Sequence, residues 1–511
     1  MGWQCGPSVT GRAKPGPLKD VVLKGLSLAL LAVVGRALYA APWLGEWDAV
    51  DFALAIHWYS LAEFQPHFPG YPVFVWIVRG AWRIFEDDLR ALTLTSACFG
   101  GLTLVPLYAL ASRMLGSREA LLTVLLLGVH PFHWLVSTKP LSDATGTFFV
   151  TLFLALAWMA YERDDRHGWA LFSLASVALG MALGVRLSYF PFALTWLFLL
   201  WRLKRSWSWP ATIRPVVAFT AAVALWLHWQ VAREGWSPFA RESLRFIRGH
   251  FTDWGGALFT DPDPVSRPLR LLHSLFAYGL GGYAMRELAM ALLLSLLLAL
   301  TLLSQFRPAL RGAASGGPTW GKFLLAAGAP YLIWVLLGQN VDKGRHLLPL
   351  IPLLLLPVSR GVIRAGERLG RGWGPLLVSA LLVMPLAVGG WRSVEAERSH
   401  MPAPLQLVEF VRTHYPPGET LLLGGEEKRL FDYYLPALTV QRVRSGDEIV
   451  PTLDSLAVIP QTVLVTSAVL QGAAPAGVGL RAVREFSGVS ALTPAMGAMT
   501  LYELDVSALS P

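Results

Sequence analysis

The apolar stretch GYPVFVWIVRGAWRIF, residues 70–85, decides the fold, because its placement sets the direction of every apolar helix that follows it. It is shorter than the roughly 20 apolar residues that a helix needs to cross a bilayer. Arg79 and Arg83 lie four residues apart on one helix face, flanked by Trp76 and Trp82. An arginine at the centre of a span costs at least about 2.5 kcal/mol. The stretch therefore predicts a helix in the membrane interface rather than a span.

Longer apolar runs surround this stretch along most of the chain. Of the 511 residues, 54% are hydrophobic and only 15% are charged, whereas soluble domains carry about 25% charged residues. This composition excludes a soluble enzyme, a disordered chain and a fibre. It predicts an all-α polytopic membrane domain of about eleven transmembrane helices, with juxtamembrane amphipathic helices beside them. The runs lie at residues 21–41, 89–111, 119–135, 143–161, 168–184, 187–201, 212–231, 286–306, 322–339, 345–363 and 374–392.

The charges of the short loops give these helices a direction. If residues 70–85 lie flat, most Lys and Arg residues of the short loops share one side, which the positive-inside rule assigns to the cytoplasm. The net charge of +9 is therefore interpreted as an orientation signal, and no nucleic-acid partner is expected. The first run also fits a signal peptide, but Arg36 interrupts it, which favours an uncleaved anchor. We expect a multi-pass protein of the plasma (inner) membrane with a cytoplasmic N-terminus.

The pattern changes after residue 392, where charged residues end the last apolar run. Helical stretches are predicted at 404–414 and 426–434, and short β-like runs at Thr420–Leu423, Thr462–Thr466, Leu480–Phe486 and Met499–Leu504. We therefore predict two domains, a transmembrane domain over residues 1–392 and a small extracytoplasmic α/β domain over 393–511. The segment Leu423–Glu426 lacks the spacing of a dinucleotide-binding loop. The C-terminal domain is assigned no catalytic role and is expected to cover an outer cavity or contact an acceptor.

The first outer loop, residues 42–88, combines acidic side chains with a stiff turn. Trp47, Val50, Leu54, Trp58 and Leu61 follow helical spacing, which predicts an amphipathic helix lying on the membrane with one apolar stripe.

Asp48 and Asp51 occupy the neighbouring sector of this helix, where they are expected to face a cavity. The prolines at positions 66, 69 and 72 fix a turn that holds His67 near the helix start. A carboxylate in this place can serve as a general base. The alternatives are helix capping for Asp48, a solvated first-turn acid for Asp51 and an interfacial ring for His67.

Cationic side chains occur in the other outer loops. Lys139 and Asp143 lie within four residues of each other, either as ligands of a phosphate and a sugar or as a local ion pair. Arg241, Arg245 and Arg248 form a basic face at helical spacing, suited to phosphate oxygens. Their alternative is lipid headgroup binding or salt bridges to Glu234 and Glu242.

Several of these motifs occur in order and resemble the GT-C superfamily of membrane glycosyltransferases. The group in question is the protein O-mannosyltransferase-like proteins, which include bacterial transferases that add sugars to lipid A. The resemblance covers about residues 20–390 and rests on the acid after the first span, the turn His67–Pro72, His130-Pro131, Ser142-Asp143, and the segment Gly344–Pro352 with its Arg345, Pro349 and Pro352.

The resemblance implies a polyprenyl-phosphate sugar donor, an extracytoplasmic acceptor (envelope lipid, glycan or protein) and contact with the bilayer. Asp48 matches the family's catalytic acid. The family often has Asp-Glu where this chain has Asp48-Ala49, so Asp51 is a second candidate. Inverting transfer with an aspartate base is expected. The substrate-binding residues are expected to be His67, Tyr71, Lys139, Asp143, Arg245 and Arg345.

The sequence predicts no metal ligand set and no other cofactor, and it leaves a requirement for a divalent metal open. The two cysteines, Cys5 and Cys98, lie outside any Cys/His cluster. Two other functions fit the composition, namely a transporter or flippase of lipid-linked saccharides and a non-catalytic envelope assembly protein. A transporter is expected to carry its charges within its spans. In this sequence most acidic residues fall in loops, which favours the transferase.

Overall fold

The computed structural model describes residues 18–163, 165–204, 208–284, 320–370, 372–470, 479–490, 492 and 496–505. Most of this chain is helical, and a small sheet lies near the C-terminus. The helices before the sheet are α1 (Leu18–Leu38), α2 (Trp47–His57), α3 (Pro72–Phe85), α4 (Asp88–Leu102), α5 (Leu104–Met114), α6 (Ser117–Val129), α7 (Pro131–Ser137), α8 (Asp143–Tyr161), α9 (Arg166–Val185), α10 (Phe192–Leu203), α11 (Trp209–Glu234), α12 (Trp236–Thr252), α13 (Arg267–Ser274), α14 (Trp320–Gly338), α15 (Ile351–Leu369), α16 (Gly374–Ser399) and α17 (Ala403–His414).

Seven helical segments of the described chain are long and apolar enough to cross a membrane, or eight if the bent pair α6–α7 is one span. They support a multi-pass membrane protein, whereas the expected count of about eleven spans is not confirmed. The run at 187–201 yields only the short helix α10, and the run at 286–306 lies outside the described residues. The seven segments are Asp88–Met114, Asp143–Tyr161, Arg166–Val185, Trp209–Glu234, Trp320–Gly338, Gly344–Leu369 and Gly374–His414.

Helix α3 covers most of the apolar stretch at residues 70–85. It has 14 residues and does not qualify as a span by length. Its apolar side, including Phe74 and Val78, is buried. On the other side, Arg79 donates a hydrogen bond of 2.8 Å to the carbonyl of Ala55 and lies 5.8 Å from the ring of Trp229. The helix is therefore attached to α2 by an arginine, and its position in the interface stays a prediction.

The run expected at 119–135 is broken at His130, where α6 and α7 meet at an angle of 57°. Pro131 takes the first position of α7, because its ring disfavours a helical conformation in the residue before it. The side chain of His130 accepts a hydrogen bond from the amide of His133 at 3.3 Å. The bend leads the chain through α7 to the start of α8 at Asp143.

The sequence predicts α2 as a surface helix with one apolar stripe, and the structure contradicts this prediction. It ends at His57, so Leu61 lies beyond it, and Trp58 at its end is 67% exposed. Residues on several sides of α2 are buried, including Asp51 together with Phe52. The stripe was wrong because α3, α4 and the C-terminal helix that follows the first strand enclose α2.

The C-terminal part forms a five-stranded sheet in the order β2-β1-β3-β5-β4. Strands β1 and β3 are parallel neighbours and both are buried, as expected for strands covered on two faces. Its strands and helices are β1 (Thr420–Gly424), α18 (Lys428–Tyr434), β2 (Thr439–Arg442), α19 (Ile449–Asp454), β3 (Thr462–Thr466), α20 (Ser467–Leu470), β4 (Leu480–Ser487) and β5 (Ala498–Leu504).

Four of these strands match the β-like runs of the sequence, and α17 and α18 match the two helical stretches. The parallel edge strand β2 was missed, since it is short and half exposed. The domain boundary expected at residue 393 falls inside α16, which continues to Ser399, and the division into two domains stays a prediction.

Candidate active site

The turn between α2 and α3 holds His67 over the start of α2. Gln65–Pro66 and Phe68–Pro69 are cis peptide bonds. Gly70 has a φ of +88°, a conformation that glycine adopts without strain. The amide of Gln230 on α11 donates a hydrogen bond of 2.7 Å to the carbonyl of Pro69. The turn is therefore fixed from a neighbouring helix as well as by its own prolines.

His67 bridges Asp51 and Tyr71. Its Nδ1 lies 2.8 Å from Asp51 Oδ2, and its Nε2 lies 2.8 Å from the hydroxyl of Tyr71. Since a carboxylate only accepts, Nδ1–H donates to Asp51 and Nε2 accepts the tyrosine hydroxyl in the neutral ring. Asp51 is 2% exposed. Burial raises its pKa, although His67 and Arg429 act in the opposite direction.

Asp48 pairs with Arg345, which lies in a 3₁₀ helix over Gly344–Leu350. Asp48 Oδ2 is 2.5 Å from Arg345 Nη1, while Oδ1 is 3.9 Å from His67 Nε2. Burial alone would raise the pKa of Asp48, but the charges of Arg345, His67 and Arg429 outweigh it and hold that pKa far below its usual range. The residue in the N-cap position of α2 is Glu46, so the capping alternative for Asp48 is wrong. Asp48 is an ionised carboxylate beside a guanidinium.

A second ion pair lies beside Tyr71. Asp143, at the start of α8, is 2.9 Å from Arg186 Nη1, and Arg186 also donates to the hydroxyl of Ser142 at 3.1 Å. The guanidinium of Arg186 lies 5.9 Å from the ring centroid of Tyr71. Burial lowers the pKa of Arg186, but Asp143 and further groups, Asp48 among them, raise it overall. The candidate site therefore holds Arg186 as well as Arg345 next to its carboxylates.

Lys139 is separate from this cluster. It pairs with Glu397 of α16 at 2.5 Å, and both side chains are at most 5% exposed. The local pair with Asp143 that the spacing allowed is wrong, because Asp143 pairs with Arg186 instead.

Arg245 lies on α12, which has the expected basic face. Its side chain is 62% exposed and lies 3.5 Å from Glu242, as the salt-bridge alternative anticipates. With Arg248, Trp254 and Arg444 it lines a cavity of about 410 Å³. The other expected partner, Glu234, accepts the amide of Leu61 at 2.9 Å.

Sequence reasoning missed two members of the site. Arg186 follows an apolar run, and its position at a helix end is the only signal that could have identified it. Arg429 lies 378 residues from Asp51 in the sequence and 3.1 Å from it in the structure. No local pattern marks such a partner.

The spacing of the site also bears on metal binding. Asp48, Asp51 and His67 each place one ligand atom within 4.8 Å of the others. Arg345 and Arg429 already contact the two carboxylates, so the cluster is an ion-pair network. A divalent cation bound there would share these carboxylates with the two guanidinium groups.

Known proteins share parts of this sequence and the whole fold. Residues 66–229 match the family model described as dolichyl-phosphate-mannose-protein mannosyltransferase. A sequence comparison with curated proteins finds no significant match.

Among solved structures, ArnT from Cupriavidus metallidurans bound to undecaprenyl phosphate superposes with a TM-score of 0.58 at 14% identity, over 96% of this chain and 99% of that one. The archaeal oligosaccharyltransferase AglB from Archaeoglobus fulgidus, in complex with an inhibitory peptide and a dolichol-phosphate, gives 0.52 at 13% identity, over 86% and 69%.

The matched family and these structures all belong to the GT-C superfamily of membrane glycosyltransferases. The chain shares their fold, and its residues 66–229 match a family of that superfamily, in agreement with the resemblance drawn from the first-loop motifs.

Proposed function

We propose that the protein moves a sugar from a polyprenyl-phosphate donor to an extracytoplasmic acceptor. The observation that carries this proposal is the Asp48–Arg345 contact, which joins a carboxylate and a guanidinium in one partly buried cluster. Inverting transfer needs both groups, a base for the acceptor and a cation for the departing phosphate. The lipid phosphates bound to ArnT and AglB support a lipid-linked donor.

The donor phosphate competes with Asp48 for Arg345. In the resting site, Arg345 contributes to the low pKa of Asp48 and makes it a weak base. A phosphate that draws the guanidinium away raises this pKa, so Asp48 gains basicity when a donor is bound. The base is thereby coupled to donor binding.

The transfer step then needs little acid catalysis, because the lipid phosphate leaves as an anion. Asp48 takes the proton of the acceptor hydroxyl or amine, and the acceptor forms a bond to C1 of the sugar. The electron pair of the C1–O bond leaves with the phosphate, whose charge Arg345 stabilises. The configuration at C1 inverts.

Asp51 is the less suitable base, since it is 2% exposed against 16% for Asp48 and already accepts from His67. We assign Asp51, His67 and Tyr71 to orienting the cluster, and Asp143 to holding Arg186 beside it. Arg245 is proposed to act on the acceptor side.

The test supplies polyprenyl-phosphate hexoses and pentoses to purified full-length protein in nanodiscs and measures the free polyprenyl phosphate released. We expect one donor to be consumed and Asp48→Asn to abolish its consumption. Glu409→Gln, which changes an exposed acid of α17, is the control. A transporter or flippase would consume no donor. Full transfer by Asp48→Asn would remove Asp48 as base, and a product of retained configuration would exclude single displacement.

A further inference from the structure

The C-terminal domain contacts the carboxylates of the candidate active site through the side chain of Arg429. Arg429 lies on α18, the helix that follows the interior strand β1, and is 17% exposed. Its Nη1 is 3.1 Å from Asp51 Oδ2 and 4.0 Å from Asp48 Oδ1. A guanidinium from the C-terminal domain therefore faces both carboxylates of α2.

The other side of Arg429 is held by its own domain and by the first loop. Its Nη2 is 2.8 Å from Glu426 Oε2, and Glu426 also pairs with Arg442 of β2. The ring centroid of Phe64 lies 4.7 Å from the guanidinium carbon of Arg429 and 6.0 Å from that of Arg442. Such distances are those of cation–π contacts. Phe64 adopts a φ of +59°, which is unusual for a bulky residue. Contacts from two elements therefore fix the guanidinium.

Asp51 has two close donors on the same oxygen, His67 at 2.8 Å and Arg429 at 3.1 Å. Among the residues that the structure describes, the other charged groups that face Asp51 are Asp48 on its own helix and Arg442 on β2. A buried carboxylate is costly without a cationic partner. Removing Arg429 leaves His67 as the close donor to Asp51, so the carboxylate is held less firmly against His67.

We propose that Arg429 is a positioning residue of the transfer site, and that the C-terminal domain completes this site by holding Asp51 against His67. The proposal rests on the transfer function proposed above. It differs from the sequence expectation, which gave the C-terminal domain no catalytic role. Arg429 acts through Asp51 and His67 on the geometry around Asp48. Binding of the donor phosphate is assigned to Arg345.

The first measurement needs no sugar. A double-mutant cycle combines Arg429→Gln with Asp51→Asn in full-length protein and follows thermal unfolding. Groups in direct contact give non-additive effects, and we expect this outcome. Additive shifts would overturn the proposal. The matched control is Arg412→Gln, which removes an arginine of the same domain whose partner is Glu409 at 2.6 Å.

The second measurement follows donor turnover and the binding of undecaprenyl phosphate as a lipid probe. We expect Arg429→Gln to lose turnover by about 100-fold, the scale of a small misplacement of a catalytic group, while binding of the probe is unchanged. Arg429→Lys should recover part of the loss. Added guanidinium chloride should restore part of the donor turnover of Arg429→Ala, whereas sodium chloride at equal ionic strength should not.

The outcomes separate the two proposals. Turnover by Arg429→Gln within about twofold of the wild type would overturn the positioning role, since misplacement has a far larger effect. Equal rescue by both salts would also overturn it. If the wild type consumes no donor, the proposed function fails, while the unfolding cycle still decides whether Arg429 holds Asp51.

Discussion

Asp48 and Arg345 lie 297 residues apart in the sequence, and their side chains approach to 2.5 Å in the structure. The pair joins the first turn of α2 to the 3₁₀ helix that precedes α15. Through this contact the first outer loop and a distant membrane helix share one site. The contact also sets the charge state of Asp48, because it counteracts the effect of burial on its pKa.

Replacing Arg345 should therefore change both the rate of transfer and its pH dependence. Arg345→Gln removes a cation from the departing phosphate, and we expect transfer to fall by about 100-fold. It also removes a group that lowers the pKa of Asp48, so this pKa rises. As the pH is lowered, the remaining activity is therefore lost at a higher pH than in the wild type. The measurement is kcat/KM across about pH 3 to 8, a range that includes the ordinary aspartate pKa of about 3.9.

The matched control for this change is Arg118→Gln, an exposed arginine at the start of α6. It should leave the rate and the pH profile unaltered. A profile of Arg345→Gln that coincides with that of the wild type would contradict the coupling between Arg345 and Asp48.

Tyr71→Phe removes one hydroxyl that donates to His67 Nε2 at 2.8 Å. The loss of one such hydrogen bond is worth about 0.5–1.5 kcal/mol, so we expect kcat to fall by about 2- to 13-fold. The ring is retained and the turn should stay folded. Tyr502→Phe in β5 is the control. An unchanged kcat would show that Tyr71 does not orient His67.

The first-loop part of the site was predictable from the sequence because its members are close neighbours. Asp48 and Asp51 share a helix, and a proline-rich turn returns His67 to it within 16 residues of Asp51. In the same way, buried apolar runs located β1 and β3, since buried strands carry a strong local pattern. Spacing alone suffices in these cases.

The ion-pair partners were not predictable. Arg186 is 44 residues from Ser142, and Glu397 is 258 residues from Lys139. Which cation meets which carboxylate depends on how α8, α9 and α16 pack, and no spacing rule contains that information. The predicted pairing of Lys139 with Asp143 was wrong for this reason.

The orientation of the chain can be tested with single cysteines. In a variant with Cys5 and Cys98 replaced by serine, Thr413→Cys places a thiol at an exposed position of α17, and Arg118→Cys places one at the exposed start of α6. The positive-inside distribution of loop charges predicts that they lie on opposite sides. A membrane-impermeant maleimide added to intact spheroplasts should label Thr413→Cys alone, and Arg118→Cys only after lysis. The reverse pattern would place residues 70–85 across the membrane.

The buried pair of Lys139 and Glu397 decides whether Lys139 binds substrate or holds helices together. Removing one partner of a buried ion pair costs about 3–5 kcal/mol, whereas replacing both with apolar residues is often neutral. Lys139→Met should therefore lower the thermal stability strongly, and the double variant Lys139→Met/Glu397→Leu should recover it. Because Lys139 is 5% exposed and pairs outside the Asp48 cluster, we expect the double variant to transfer sugar at close to the wild-type rate. If the double variant is stable but does not transfer sugar, Lys139 is a substrate-binding residue, as the sequence predicts.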